Sequence, residues 1–189
     1  LMQPRMLSGA PIQLKHKQAP RAGAVLILVY EDQDRLRFPL IQRPTYQGVH
    51  SGQMGLPGGK AEPEDHSLYA TAMREAQEEI GVDPSTVEVI GSLSSFYVAA
   101  SNYQVLPVLG VTDRTPQFVP DRHEVEEVVV GNLHHLMDTD YVKEKEIVAA
   151  AGFRLQSPYF ELEGKTVWGA TAMMLSEFSF ILKEIYGHL

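Results

Sequence analysis

Apolar residues along the chain are grouped in short runs that glycine, proline and charged turns separate. The run at 23–30, GAVLILVY, is rich in β-branched residues and predicts a buried strand. A polar turn at 31–35 follows, and the run at 36–43 returns as the second strand of a hairpin. Pro39 in this second run favours an edge position or a bulge, because proline has no N–H to donate to a strand ladder.

Two helices are predicted from apolar residues at helical spacing. In residues 67–80 the apolar side chains recur four positions apart and Gly81 ends the pattern, while Asp65 or Ser67 is a candidate N-cap. The second helix is predicted over 170–186. Its apolar face is expected to contain Met174, Phe178, Ile181 and Ile185.

The rest of the pattern predicts more strands and one long loop. A short helix is predicted over 133–138, and the glycine- and proline-rich stretch over 46–65 is typical of a functional loop. Strands enclosing two helices predict an α/β (α+β) fold, a mixed sheet sandwiched between helical layers. We expect an N-terminal arm over 1–20 and one domain over 21–189. The other predicted strands cover 86–98, 103–113, 124–132, 144–150, 152–162 and 165–169.

Composition narrows the classes of partner and compartment. The 189 residues include 24 acidic and 16 basic side chains, for a net charge of −8, and they contain no cysteine. An acidic chain without a Lys/Arg-rich run argues against a nucleic-acid partner. The absence of cysteine excludes disulfides and thiolate metal sites and favours a reducing cytoplasm. The apolar run at 22–30 is too short to cross a bilayer, so no membrane partner is expected.

The helix over 67–80 carries three glutamates on one side. Glu75, Glu78 and Glu79 fall within an arc of about 100°. Like charges at this spacing destabilise a helix by roughly 0.2–0.5 kcal/mol per pair, and a divalent cation such as Mg²⁺ would reverse that effect. Arg74 can reach Glu78 at the i+4 position. The alternative is a solvated acidic face with an incidental ion pair, which is the commoner origin of such a segment taken alone.

The preceding loop, GLPGGK at 55–60, favours the metal site over the solvated acidic face, because its glycines allow the backbone to approach a ligand closely. Together, GG…REAQEEIGV resembles the Nudix box of the Nudix hydrolases. The usual box has a glutamate eight positions before its arginine, where this chain has His66. The segment is one residue longer here, and Asp65 is the nearest acid. This departure is a feature of the coenzyme A pyrophosphatase branch, whose box commonly reads GGK…D…TA.RE..EE.G.

The upstream loop also resembles that branch. Arg43, Gly52 and the Pro-Gly-Gly of 57–59 stand at matching spacing, and HSGQ at 50–53 is similar to the branch's His-x-Gly-Gln. The resemblance covers residues 23 to 185. Gly48 stands where the branch has a second arginine, a plausible contact for the extra phosphate of coenzyme A. Two other departures are Pro44 and Leu56.

The resemblance implies a Nudix-type fold and a metal-dependent diphosphatase with Mg²⁺ or Mn²⁺. It would split coenzyme A or its thioesters into a 4′-phosphopantetheine product and adenosine 3′,5′-bisphosphate. By residue-wise transfer, Glu75 and Glu79 are metal ligands, and Glu78 is a third ligand or positions a water on the metal. The carbonyl of Gly59 completes the metal's coordination, and Arg74 orients the glutamates.

Other roles follow from the same resemblance. Glu124 is favoured as the general base over Glu126 and Glu127, although all three also fit a strand with outward-facing acids. Arg43 is either a phosphate ligand or an ion-pair partner at a strand end, and a homodimer is expected. The remaining candidate substrate-binding residues are His50, Gly58, Gly59, Asn102 and Tyr103. The alternative for His50 is that it stabilises its loop, and the alternative for Asn102 and Tyr103 is that they belong to the core.

Three other functions stay open from the sequence. The first is hydrolysis of ADP-ribose or another nucleoside diphosphate derivative. The second is a Nudix-type domain that senses a nucleotide without hydrolysing it, although such domains tend to lose the glutamates that are intact here. The third is a purely structural acidic domain, for which a Glu79→Gln substitution would leave metal affinity unchanged.

Overall fold

The structure is a computed structural model that describes residues 2–6, 16–45, 50–148 and 154–187. Its helices are α1 (Leu68–Ile80), α2 (Leu133–Met137) and α3 (Gly169–Tyr186), with 3-10 turns at Pro84–Thr86 and Thr139–Tyr141. Its strands are β1 (Arg5–Met6), β2 (Arg21–Asp32), β3 (Arg35–Gln42), β4 (Met54–Gly55), β5 (Gly58–Lys60), β6 (Glu88–Ser92), β7 (Phe96–Val98), β8 (Tyr103–Thr112), β9 (Glu127–Asn132), β10 (Val142–Val148), β11 (Arg154–Leu162) and β12 (Lys165–Trp168).

Strands β2 and β8 form the centre of a mixed sheet. They pair in parallel along β2 from Arg21 to Tyr30, and the other neighbours in this sheet are antiparallel. The order is β4-β3-β2-β8-β6, with β5 also on β2, β7 on β8 and β9 on β3. The predicted hairpin of β2 and β3 is confirmed. Both residues of its turn, Gln33 and Asp34, have positive φ, as a tight two-residue hairpin turn requires.

The mixed sheet separates two buried layers. On one face, Ala72, Ala76 and Ile80 of α1 pack against apolar side chains of β2. On the other face, α3 and strands β11 and β12 cover side chains such as Phe38 and Leu40 of β3. The predicted fold class, a mixed sheet between helical layers, is therefore confirmed.

Helix α1 begins and ends where the sequence predicts. Of the two candidate caps, Ser67 serves: its Oγ accepts the N–H of Ala70 at 3.1 Å. Gly81 ends the helix in the left-handed conformation at φ 72°, and its N–H bonds the carbonyls of Ala76 and Gln77. These two ends fix which turn of the helix presents its glutamates to the sheet.

The prediction of one structureless loop over 46–65 is wrong in its second half. Residues 54–55 pair with the end of β3, and residues 58–60 pair with the start of β2. Backbone hydrogen bonding to two available strand edges outweighs the weak strand propensity of glycine. Residues 46–49, including Gly48, lie outside the described residues.

A second, four-stranded antiparallel sheet contains β1, β10, β11 and β12. The sequence locates its last three strands but does not predict that they form a separate sheet, because pairing between distant segments leaves no local pattern. The predicted strand ends at 149–150 and 152–153 fall outside the described residues. In the predicted arm over 1–20, Arg5 pairs with Gln156 of this sheet.

One finer prediction is confirmed and another needs correction. Pro39 pairs with Val130 of β9, while in the described ladders the pairing of β3 with β2 ends at Arg37 and that with β4 begins at Ile41, so one side of the strand is unpaired at Pro39, as at a sheet edge. The predicted apolar face of α3 is wrong in its second half: Ile181 and Ile185 are 37% and 54% exposed. The buried stripe instead runs through Thr171, Leu175, Phe178 and Leu182, which are also at helical spacing.

Within the described ranges, no helix combines the length and the apolar character that crossing a membrane requires.

Candidate active site

Strand β5 brings two glycines against the acidic helix. A Cβ on Gly58, whose φ is +148°, would lie 2.3 Å from the carbonyl oxygen of Ala24. A Cβ on Gly59 would lie 2.6 Å from a carboxylate oxygen of Glu75. Only glycine fits at position 58, and a side chain at position 59 would displace the Glu75 carboxylate, so the backbone of β5 packs directly between β2 and the glutamates of α1.

Glu79 is a buried carboxylate that the backbone of β5 holds. Its side chain accepts the N–H of Gly58 at 2.7 Å, and the residue is only 2% exposed. Burial raises the pKa of Glu79 to about 7, although the Gly58 N–H and the charge of Arg43 oppose that rise. The pKa of Glu75 is also raised, again mainly by burial. Removing these two carboxylates from water is unfavourable unless a cation binds them.

Arg74 orients the acidic side chains around it. Its Nε and Nη2 each donate to one oxygen of Asp65, both at 3.0 Å. Its Nη1 lies 2.8 Å from Glu78 Oε2 and 3.1 Å from Glu75 Oε1, and Nη2 also donates to the carbonyl of Lys60. One guanidinium therefore joins the loop before α1, strand β5 and two box glutamates, as the predicted orienting role requires.

Asp65 completes this arrangement. Besides the two bonds from Arg74, it accepts the N–H of Glu62 at 2.9 Å and the hydroxyl of Thr71 at 2.8 Å. The bonds from Arg74 hold the pKa of Asp65 well below its usual range. The extra residue before α1 therefore delivers an aspartate, rather than His66, to the arginine.

The segment after β8 supplies a third carboxylate. The N–H of Val119 bonds the carbonyl of Ile80, and the N–H of Asp121 bonds that of Glu79, so the segment is tied to the end of α1. Four residues further on, the N–H of Val125 donates to the carbonyl of Asp121 at 2.8 Å, and Val125 is fully buried. These contacts carry Glu124 to the exposed side of the helix glutamates.

Glu75, Glu79 and Glu124 converge at one point. One carboxylate oxygen from each lies within 4.8 Å of the others. Three oxygen donors at this separation, two of them largely desolvated, suit a hard divalent cation such as Mg²⁺ or Mn²⁺. Glu78 stands outside this group: its side chain is 56% exposed and pairs with Arg74. The specific roles assigned to these glutamates stay predictions.

The carbonyl of Gly59, the predicted backbone ligand, lies over Gly23 of β2. A Cβ on Gly23 would come within 2.5 Å of that oxygen. Small residues on both strands therefore let the carbonyl come close to the neighbouring strand. Its role as a ligand stays a prediction.

The two predicted phosphate contacts upstream lie differently. Arg43 reaches the Gly58 carbonyl at 3.5 Å, and in the described part of the chain its guanidinium makes no ion pair. His50 is in a left-handed conformation at φ 69°, its Nδ1 is 3.1 Å from Gln53 Oε1, and burial lowers its pKa. Arg43 thus lies near enough to Glu79 for its charge to lower the pKa of that carboxyl, whereas the contacts of His50 are those of a loop residue, and the phosphate-binding roles of both stay predictions.

Asn102 ends the turn between β7 and β8, and Tyr103 is the first residue of β8. The amide of Asn102 donates to the carbonyls of Gln18 and Ala19, at 3.3 and 3.4 Å, and its oxygen accepts the hydroxyl of Tyr97. The ring of Tyr103 lies under the guanidinium of Arg21. Both residues thus have partners within the protein.

The other two candidate bases lie apart from the convergent group. Glu127 binds Lys165 at 2.6 Å, and Glu126 is exposed while its N–H bonds the carbonyl of Gln42. This geometry favours Glu124 among the three.

Comparison with known proteins gives the family. A model of the NUDIX domain matches residues 20–157. "Nudix hydrolase 15, mitochondrial" of Arabidopsis thaliana is 35% identical over 167 residues, covering 82% of this chain and 56% of that protein. "Uncharacterized Nudix hydrolase NudL" of Yersinia pestis (strain Pestoides F) is 31% identical over 137 residues, covering 72% of this chain and 67% of that protein. The chain thus spans little more than half the length of the Arabidopsis relative.

Solved structures agree at the level of the fold. The Nudix hydrolase RenU of M. smegmatis superposes with a TM-score of 0.58 at 15% identity, covering 98% of this chain and 94% of that one. The family model covers most of the chain, and both relatives exceed 30% identity over more than two thirds of it. The chain therefore belongs to the NUDIX domain family, the family of the Nudix hydrolases.

Proposed function

We propose that this chain hydrolyses the diphosphate bond of coenzyme A or its thioesters with Mg²⁺ or Mn²⁺. The products are a 4′-phosphopantetheine compound and adenosine 3′,5′-bisphosphate. The observation that carries the reaction class is the convergence of Glu75, Glu79 and Glu124 beside the two glycines of β5. The family membership supports diphosphate hydrolysis as the chemistry of this site.

The residues of the candidate site have different proposed roles, according to where each side chain lies. Glu75 and Glu79 would hold the divalent cation, which when bound would lower the charge on the diphosphate oxygens and the pKa of the attacking water. Glu124 approaches from a separate segment and serves as a further ligand or as the base that takes the proton of the water. Arg43 binds the diphosphate from the β3 side, and Arg74 keeps Glu75 oriented. Glu78 pairs with Arg74 in the structure, and its predicted role as a third ligand or in positioning a water on the metal stays a prediction.

The proposal that the substrate is coenzyme A rests on the sequence motif and on one contact in the structure. Asp65 stands one position before the usual acid and nevertheless binds Arg74 through both oxygens, which supports a working box of the longer type. The roles of His50, Asn102 and Tyr103 as substrate contacts stay predictions. The second candidate substrate is ADP-ribose, which shares the diphosphate and adenosine but lacks a 3′-phosphate.

A substrate panel tests the proposal. The purified protein is assayed with Mg²⁺ and with Mn²⁺ on coenzyme A, 3′-dephospho-coenzyme A, ADP-ribose and a diadenosine polyphosphate, and products are identified by mass spectrometry. Coenzyme A is expected to give the highest kcat/KM, with no turnover in EDTA. The Glu79→Gln variant is the inactive control, and Arg35→Gln, an exposed residue at the β2–β3 turn, is the matched active control.

The outcomes separate the alternatives. Preference for ADP-ribose would overturn the coenzyme A proposal and keep the diphosphatase. Nucleotide binding without hydrolysis of any compound in the panel would favour a sensing domain. The expected homodimer and cytoplasmic location stay predictions, and light scattering of the purified protein measures the first.

A further inference from the structure

An extended segment that follows β8 binds the end of helix α1 through its backbone. The last four carbonyls of a helix have no partner within the helix and need acceptor bonds from elsewhere. The carbonyl of Ile80 accepts the N–H of Val119 at 3.0 Å. The carbonyl of Glu79 accepts the N–H of Asp121 at 2.9 Å. The second of these bonds therefore joins the segment to the backbone of a proposed metal ligand.

Asp121 extends this connection to Glu124. The carbonyl of Asp121 accepts the N–H of Glu124 at 3.1 Å and that of Val125 at 2.8 Å. The backbone of Asp121 thus donates to Glu79 on one side and accepts from Glu124 on the other. Two hydrogen bonds through a single residue join the backbones of two of the three glutamates whose carboxylates converge.

The side chain of Asp121 closes the turn that carries Glu124. Its Oδ1 accepts the N–H of His123 at 2.9 Å. A bond from an aspartate to the N–H two residues later is an Asx turn, which sets the direction in which the chain leaves the aspartate. Residues 121–124 are all exposed, so hydrogen bonds rather than packing determine the shape of this turn.

Two apolar anchors hold the segment on either side of the turn. The ring of Phe118 meets that of Tyr30 edge-on, with the centroids 5.9 Å apart. Val125 is fully buried, and both anchors belong to the core layer that contains Ala76 of α1. The anchors fix where the segment begins and ends on the core, and the Asx turn sets the path of the backbone between them.

We propose that Asp121 is a positioning residue, which holds Glu124 beside Glu75 and Glu79 through the turn that its side chain closes. The inference rests on the proposed function, in which Glu124 is a further metal ligand or the base that takes the proton of the water. Asp121 is not one of the three carboxylates that converge, so it acts through Glu124 and not on the cation. This role requires an acceptor oxygen and no charge, so asparagine can fulfil it.

The test compares two replacements that separate the hydrogen bond of Asp121 from its charge. Asp121→Asn keeps the acceptor oxygen, whereas Asp121→Ala loses both. Mn²⁺ affinity is measured by calorimetry without substrate, and kcat is measured on the diphosphate compound that the wild type hydrolyses fastest. Whichever of these quantities Glu124→Gln lowers, Asp121→Ala is expected to lower about 10-fold, as for residues that orient a metal ligand, while Asp121→Asn stays within about twofold of the wild type.

Asp138→Ala is the matched control. Asp138 is also exposed, and its Oδ1 accepts the N–H of Asp140, two residues later, at the same distance of 2.9 Å. It caps the 3-10 turn at Thr139–Tyr141, which contacts α2 and β11. Losing the same kind of bond there is expected to change neither Mn²⁺ affinity nor kcat. Both aspartates are exposed, so all of these variants are expected to fold, and thermal unfolding checks that they do.

A double-mutant cycle shows whether Asp121 acts through Glu124. In the Glu124→Gln background, Asp121→Ala is expected to change the affected quantity by less than about twofold, because no carboxylate is left to position. A full further loss in that background would overturn the proposal. Equal losses in Asp121→Ala and Asp121→Asn would overturn it too, since the charge would then be responsible, and so would wild-type values in Asp121→Ala.

Failure of the proposed function gives a different result. If the wild type hydrolyses another diphosphate compound and not coenzyme A, the coenzyme A proposal fails, while the Asp121 comparison is made on that compound and on Mn²⁺ alone. If Glu124→Gln changes neither Mn²⁺ affinity nor kcat, the proposed role of Glu124 fails, and the role of Asp121 is overturned with it.

Discussion

Replacing Glu79 with glutamine is expected to stabilise the metal-free protein at neutral and alkaline pH. The carboxyl group is 2% exposed, and burial raises its pKa to about 7 from an ordinary value of 4.5. Glutamine has nearly the same shape, and its side-chain oxygen can accept the same N–H of Gly58. The variant therefore removes the charge that burial disfavours and keeps the hydrogen bond.

The size of the effect follows from the two pKa values. Between pH 4.5 and about 7 the folded protein keeps a proton on Glu79 that the unfolded chain has lost, so the stability of the wild type falls as pH rises through this window. At 1.36 kcal/mol per pH unit, the full difference corresponds to about 3 kcal/mol, reached near pH 8. Below pH 4.5 both states are protonated and the contribution of Glu79 disappears.

Urea denaturation in EDTA, at intervals from pH 4.5 to 8, measures this difference. The free energy of unfolding of Glu79→Gln minus that of the wild type should rise with pH, and other titrating groups largely cancel in the subtraction. Adding Mg²⁺ at pH 8 should stabilise the wild type and leave the variant nearly unchanged. Glu78→Gln, which alters an exposed carboxylate, is the control and should show no such rise. A Glu79→Gln variant that is no more stable than the wild type at pH 8 would refute the argument from burial.

Three further substitutions test the surroundings of this group. Asp65→Asn should destabilise the protein by about 2 kcal/mol at pH 7, because it weakens the paired bonds to Arg74, and an unchanged urea midpoint would contradict this. Gly59→Ala puts a methyl group 2.6 Å from the Glu75 carboxylate, so Mn²⁺ affinity measured by calorimetry should fall at least about 10-fold, and wild-type affinity would disprove the close approach. Ser67→Ala should cost about 1 kcal/mol in thermal unfolding, whereas Ser67→Asp should stay near the wild type.

Local sequence patterns predict the elements that local physics determines. Strand β2 is a run of apolar residues because both of its faces are buried, and α1 shows its cap, its apolar stripe and its terminal glycine within one segment. The acidic group is predictable to the same extent: Glu75 and Glu79 are one helical turn apart, so any helix there brings them together.

Features that depend on distant segments leave no such pattern. Strand β5 forms because the edge of β2 is available to residues 58–60, and nothing in the glycines themselves requires a strand. The place of Glu124 depends on the backbone bonds from Val119 and Asp121 to the end of α1. The sequence predicts Glu124 as one of three candidate bases, but only the three-dimensional arrangement distinguishes it from Glu126 and Glu127.

The segment before Arg74 is one residue longer than in the usual Nudix box, and the structure shows how this extra residue is accommodated. Asp65 accepts the N–H of Glu62 and the hydroxyl of Thr71 while both of its oxygens face Arg74. The turn that starts at Glu62 thus places the aspartate within reach, although an aspartate is one methylene shorter than a glutamate. Since Arg74 also contacts Glu75, the length of this turn and the orientation of a candidate metal ligand are coupled through one guanidinium. In this chain the acid that binds the arginine is therefore Asp65, and it does so through both of its oxygens.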